Sequence, residues 1–157
     1  MWIIEDTRQQ RNQHETKHSW FEEHDIQLIR CKLPFGDYSL PPKVAIDTKK
    51  GLDEIAKNIC GASDEHQRFK RECILARDAG CKLIFLIEND LGINDINQVH
   101  LWKNPRTVFN PKVVQGDRLE KAMKTMSERY DCEFLFCDYS ETAEKIMEIL
   151  KKYEHDG

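Results

Sequence analysis

At 157 residues the chain has room for one hydrophobic core, and its 33% charged and 39% apolar residues are ordinary for a soluble single domain. No window approaches the roughly 18 apolar residues of a membrane span, and the opening MWIIEDTRQQ lacks the basic and apolar regions of a secretory signal, so a protein that stays in the cytoplasm is expected. A net charge of −4 argues mildly against a nucleic-acid coat protein, but five Lys/Arg face two acids in residues 66–82 and six face two in 100–124, which reads either as solvated helix faces or as a phosphate-binding surface.

Strand and helix signals alternate along the chain. WIIE (2–5) reads as a short buried strand, 12–24 as a helix, and 26–33 as a second strand ended by Pro34 and the Gly36-Asp37 turn. DYSL and KVAID follow as two hairpin-like strands joined at Pro41-Pro42, where both prolines must lie outside the ladder. Leu52, Ile55, Ala56, Ile59 and Cys60 have helical spacing, and a further helix over about 64–79 stops at Gly80, a natural left-handed cap. Residues 82–88 are apolar almost throughout, as a central strand covered on both faces should be. Residues 89–114, with Gly92, Pro105, Pro111 and five asparagines, predict a long excursion with one helical turn near 95–100.

Leu119, Met123, Met126 and Tyr130 then line a helix, 133–137 is a strand, and Asp138 to Glu141 fits a capping box ahead of a last helix carrying Ala143, Ile146, Met147, Leu150 and Tyr153. This order predicts an α/β fold, a mixed central sheet with helices on both faces. The six cysteines form no Cys-x-x-Cys pair and read as reduced, mostly buried thiols; with the histidines they lack the spacing of a zinc site.

The chemistry concentrates at Asp47-Thr48-Lys49. Side chains alternate across a strand, so Asp47 and Lys49 project together and Thr48 points away. Asp37, across the hairpin, is expected beside Asp47. Two carboxylates with the Thr48 main-chain carbonyl make an oxygen site suited to Mg²⁺. Lys49 would orient the attacking water and neutralise charge on a phosphate oxygen. A strand-end salt bridge would also explain the pair without any metal.

The wider order of residues resembles the PD-(D/E)XK nucleases, and within them the XPF-type, excision-repair branch. Its motif is Gly-Asp, a spacer, Glu-Arg-Lys, three residues and Asp; here Gly36-Asp37, nine residues, Asp47-Thr48-Lys49, three residues and Asp53 stand in that order. The run Ile3 to Gln9 is similar to the family's opening strand, residues 82–89 with Glu88 to the strand ending in an acid, and 116–146 to the last helix-strand-helix. The chain departs from the pattern at Asp47 for Glu, Thr48 for Arg and Gln9 for Glu.

This resemblance implies a single restriction-endonuclease-like, three-layer domain over 1–157. It implies a Mg²⁺-dependent DNA endonuclease, with Mn²⁺ as possible substitute, acting on flaps, forks or other branched DNA in repair or recombination. Asp37, Asp47 and Thr48 would be metal ligands, Asp6 a secondary or water-mediated one, Lys49 catalytic and Asp53 secondary. The family usually carries a helix-hairpin-helix module, for which these residues offer no match, so DNA contact would fall to Arg8, Lys50, Arg68, Lys70 and Arg71 or to a partner. Since the family pairs active with inactive domains, a catalytically silent DNA-binding or dimerisation subunit is the alternative.

Phe69 and the tryptophans Trp2, Trp20 and Trp102 are expected in the core, with Trp102, in the basic loop, the one to test as a base-stacking platform. Apolar stripes at Leu119, Met123, Met126, Ile146, Leu150 and Tyr153 suggest surface left over for a symmetric homodimer.

Overall fold

The most apolar run of the sequence, Lys82–Glu88, forms the central strand β5 of the computed structural model, which describes residues 1–10, 13–40 and 43–154. Around it the chain lays down β1 (Trp2–Asp6), α1 (Glu15–Glu23), β2 (Gln27–Cys31), β3 (Tyr38–Leu40), β4 (Val44–Lys49), α2 (Leu52–Cys60) and α3 (Ser63–Asp78) before β5. After it come α4 (Gly116–Tyr130), β6 (Glu133–Cys137) and α5 (Thr142–Glu154). The strands make one mixed sheet in the order β2-β1-β3-β4-β5-β6. Only the β1/β3 and β3/β4 pairs are antiparallel.

Strand alternation sorts β5 into two cores. Leu83, Phe85 and Ile87 meet α2, α3 and α4, while Ile84 and Leu86 meet residues of α1 and α5. The Phe69 and Phe85 rings stack at 4.5 Å between centroids, so Phe69 is a core residue, as expected. Each such side chain contributes about 1.5–3 kcal/mol on burial. Helices on both faces of a mixed sheet complete the three-layer α/β architecture.

Several boundaries move for physical reasons. The helix expected from 12 begins at Glu15, with Asn12 outside the described residues, as are Pro41 and Pro42. β2 is shorter than 26–33 because β1, its one neighbour, offers only five residues, from Trp2↔Gln27 to Asp6↔Cys31. β4 runs on to Lys49 because β5 keeps pairing as far as Lys49↔Ile87. Gly80 has the left-handed φ of 67°.

The expected capping box does not form. The Asp138 carboxylate accepts from Ser140 N at 2.9 Å, and a 3₁₀ turn over Tyr139–Glu141 stands before α5. The excursion holds the expected turn, Ile96–Leu101, and a second, Pro105–Val108.

Trp102 is 6% exposed and part of the α2/α3/α4 core, as expected, and its ring is closed to bases. Two further expectations are corrected. Trp2, expected inside, is 60% exposed. The α4 and α5 stripes are not left over for a second copy. Leu119, Met123, Ile146 and Leu150 are wholly buried and Met126 nearly so, while Tyr153 packs partly buried on the second core. Among the described residues no helix is long and apolar enough to cross a membrane.

Candidate metal centre and nucleic-acid interface

The turn before β3 and the end of β4 bring the motif together. Gly36 takes φ 72°, and a Cβ there would lie 3.0 Å from Ala45 Cβ, so glycine alone lets the turn rest on β4. Gly36 N donates to Glu72 Oε1 at 2.8 Å and Asp37 N to Ile46 O at 2.6 Å, fixing the next residue against the strand. Asp37 Oδ2 accepts both Thr48 N and Thr48 Oγ1 at 2.8 Å. That leaves Oδ1 of Asp37 for other partners.

Asp37, Asp47, Thr48, Lys49 and Lys50 all line one cavity of about 590 Å³, with Lys17, Glu88 and Tyr139 on its other walls. Asp47 and Lys49 are 7% and 9% exposed and paired at 3.0 Å. Burial pushes the Asp47 carboxyl well above its ordinary value, with Asp37 and Glu72 adding to the push and Lys49 opposing it. Burial draws the Lys49 ammonium the other way, but Asp47, Glu72 and Glu54 outweigh it and hold the lysine above its ordinary value. Asp47 is therefore held where two other carboxylates, Asp37 and Glu72, repel its charge and Lys49 offsets them.

That repulsion at Asp47 is what a divalent ion would relieve. Two carboxylates and a main-chain carbonyl suit Mg²⁺, which keeps several waters and takes one or two protein carboxylates plus substrate oxygens. Among the described residues no group of three His, Cys, Asp or Glu side chains is placed to hold a metal ion, so the two carboxylates would need main-chain, water or substrate oxygens to complete a site.

Other expected residues separate. Asp6 is wholly buried and not on the cavity wall: Oδ1 accepts Leu33 N at 3.2 Å and Oδ2 takes the Arg8 guanidinium. The structure thus does not bring it to the other two carboxylates. Arg8 reaches the cavity instead, and also lines a groove of about 410 Å³ shared with Lys49, Arg68 and Arg71. Lys70 is turned away from that groove, because on a helix positions 68, 71, 72 and 75 share a face and 70 does not. Asp53 sits off the cavity, paired with Lys57 at 3.9 Å.

Sequence reasoning passed over Glu5, Lys17 and Glu72. Glu5 is fully buried on β1, holding Arg30 at 2.9 Å and His18 at 2.6 Å, and so ties β2 and α1 to the sheet. Lys17 lies 3.7 Å from Glu88, whose Oε1 accepts Thr142 Oγ1 at 2.6 Å. A charged residue on an otherwise inward helix face, as Glu72 is three positions from Phe69, was the available signal.

A family model described as the ERCC4 domain matches residues 5–149. Among solved structures the fold is similar to XPF from Aeropyrum pernix, with TM-score 0.69 and 17% identity over 99% of this chain and 66% of that one. It is likewise similar to XPF from Aeropyrum pernix in complex with DNA, with TM-score 0.68 and 17% identity over 98% of this chain and 64% of that one. This chain therefore spans a little under two thirds of the archaeal chains. No curated protein matches it.

Proposed function

This chain belongs to the ERCC4 domain family, a structure-specific DNA nuclease family, and from that premise we propose that it is a Mg²⁺-dependent endodeoxyribonuclease cutting branched DNA. One observation carries the reading: Asp37, Asp47 and Lys49 line a single cavity that adjoins a groove edged by Arg8, Arg68 and Arg71. A salt-bridge cluster alone would need neither the second carboxylate nor the three arginines that line the groove beside Glu54, Glu65 and Glu72.

Asp37, Asp47 and the Thr48 carbonyl would hold Mg²⁺, or Mn²⁺ in its place, and the bound ion would polarise a phosphoryl oxygen. Thr48 fixes the Asp37 carboxylate through two hydrogen bonds of 2.8 Å, so the ligand is oriented in advance. Lys49, kept protonated by the surrounding carboxylates, donates to a non-bridging phosphate oxygen and positions the attacking water. Its burial strengthens that contact, since water does not screen it. Arg8 and the exposed Lys50 meet the flanking phosphates at the cavity rim.

The presence of all three motif residues favours an active enzyme over a silent subunit. Incubating the protein with labelled flap, fork, splayed-arm and linear DNAs, with Mg²⁺ or with EDTA, tests this. Metal-dependent cuts near the branch are expected. Binding without any cut in Mg²⁺ or Mn²⁺ would favour the silent subunit.

A further inference from the structure

Between Asp95 and Asp117 the chain carries no acidic residue, while Lys103, Arg106 and Lys112 are all exposed, in a protein of net charge −4. Residues 104–115 form a loop closed by its own bonds. Asn104, 6% exposed, donates from Nδ2 to Val114 O at 2.9 Å and accepts Arg106 N at 3.0 Å, while its carbonyl takes Thr107 Oγ1 at 2.7 Å. From the other end Gln115 Nε2 donates to Thr107 Oγ1 at 2.8 Å.

The base of the loop is fastened to the domain. Gly116 packs so closely on the preceding turn that a Cβ would fall 2.4 Å from Val99 O, and buried Trp102 anchors the entering strand of chain. His100 N and Nδ1 donate to and meet Glu120 Oε2 on α4 at 2.9 and 2.8 Å.

At the tip, Val108 and Phe109 are 84% and 90% exposed. A loop closed by so many bonds would ordinarily turn its aromatic ring inward, where burial is favourable. Here it presents the ring to solvent, within a stretch of sequence that carries Lys103, Arg106 and Lys112 and no carboxylate. The complement of that surface is an anion with flat apolar faces, and a strand of nucleic acid with unstacked bases has both properties.

We propose that the 104–115 loop is a second DNA contact, in which Phe109 stacks on an unpaired base at a branch while Lys103, Arg106 and Lys112 hold adjacent phosphates. Bases within a duplex already stack on one another. The ring therefore finds a partner only where the stack is interrupted, which makes the loop a reader of branches and not of sequence. The proposal rests on the DNA-cleaving reading above but uses no residue of its cavity.

The test uses the full chain carrying Asp47→Asn to prevent cutting, alone and with Phe109→Ala, Phe109→Trp or Arg106→Ala. Each binds a splayed-arm DNA bearing 2-aminopurine beside the branch and a blunt duplex of the same sequence. Phe109→Ala should weaken the splayed arm about ten-fold and the duplex less than about two-fold, while Phe109→Trp retains affinity. Quenching of 2-aminopurine should disappear with Phe109→Ala, and Arg106→Ala should weaken both DNAs alike.

Wild-type-like binding by Phe109→Ala, or equal loss on both DNAs, overturns the proposal. So does sedimentation showing that Phe109→Ala dissociates a dimer formed without DNA, which would make the tip a self-contact. Failure of the nuclease reading looks different: the wild-type chain binds and quenches through Phe109 but cuts nothing in Mg²⁺. A chain that binds neither DNA overturns both.

Discussion

Asp47→Asn should stop metal-dependent cleavage and leave the fold nearly as stable as before. The exchange removes the 3.0 Å ion pair with Lys49, and a hydrogen bond between charged groups contributes about 1.5–3 kcal/mol. It also removes a carboxylate that burial, helped by Asp37 and Glu72, pushes well above its ordinary pKa. That penalty is of comparable size and opposite sign. Lys49 keeps counter-charges, because Glu72 and Glu54 also stabilise its ammonium. The net change should stay within about 1 kcal/mol, or roughly 2–4 °C of Tm at this chain length.

The catalytic effect is much larger. Losing one of two carboxylates that would hold the metal removes several kcal/mol of transition-state stabilisation, which is about 10³ in rate. Calorimetric scans in EDTA followed by Mg²⁺ titration separate the two effects. Wild-type Tm should rise with Mg²⁺ by mass action, by the equivalent of about 2.7 kcal/mol at a hundredfold excess over Kd. The variant should show no rise. Cleavage at the wild-type rate would refute the assignment, and a Tm lower by about 10 °C in EDTA would mark the pair as scaffold, since that is the size of breaking a buried pair outright.

Lys49→Ala should keep the Mg²⁺-induced rise in Tm but lose about 10²–10³ in turnover, because the lysine acts on phosphate and water and is not a ligand; parallel loss of both would show a structural role. Arg68→Ala and Arg71→Ala should each lower the slope of log K against log salt by about 1, and Lys70→Ala, off the groove, should leave it unchanged. An equal drop for Lys70 would remove the groove from the DNA path. Glu120 supplies a pH test: Lys124, opposed by slight burial and joined by His100, lowers its carboxyl to about 2 from 4.5. A folded-state pKa below the unfolded one stabilises above pH 4.5 and is lost as pH falls towards 2, so the Tm gap between wild type and Glu120→Gln should close over that window. A gap constant across it would show that the carboxylate charge contributes nothing.

The sheet was most legible where the sequence pattern and tertiary context agree. Lys82–Glu88 and Glu133–Cys137 were expected to the residue, because runs covered on both faces admit no other reading at that length. The placement of Asp47 and Lys49 was legible for a related reason. Asp47 and Lys49 lie on one strand, and alternation alone puts them on one side, so no long-range information was needed. The basic surface was read less well, because closeness in sequence at 68, 70 and 71 was treated as closeness in space, although one turn of helix places Lys70 apart from the other two.

What escaped the sequence depends on strand order, which no local pattern encodes. Because β1 lies between β2 and β3, its end is crowded from both sides: Asp6 N donates to Asp37 O at 2.7 Å, and the Asp6 carboxylate takes Leu33 N just beyond β2. Both oxygens of the Asp6 carboxylate thus already accept a donor, Leu33 N on one and the Arg8 guanidinium on the other. Held as it is, it points Arg8 instead, and Arg8 lines both the cavity of Asp37 and Asp47 and the adjoining groove. Under the proposed function Asp6 would act at one remove: by holding a guanidinium beside the cavity it would offer positive charge to a phosphate, where a third carboxylate would add to the repulsion that Asp37 and Glu72 exert on Asp47.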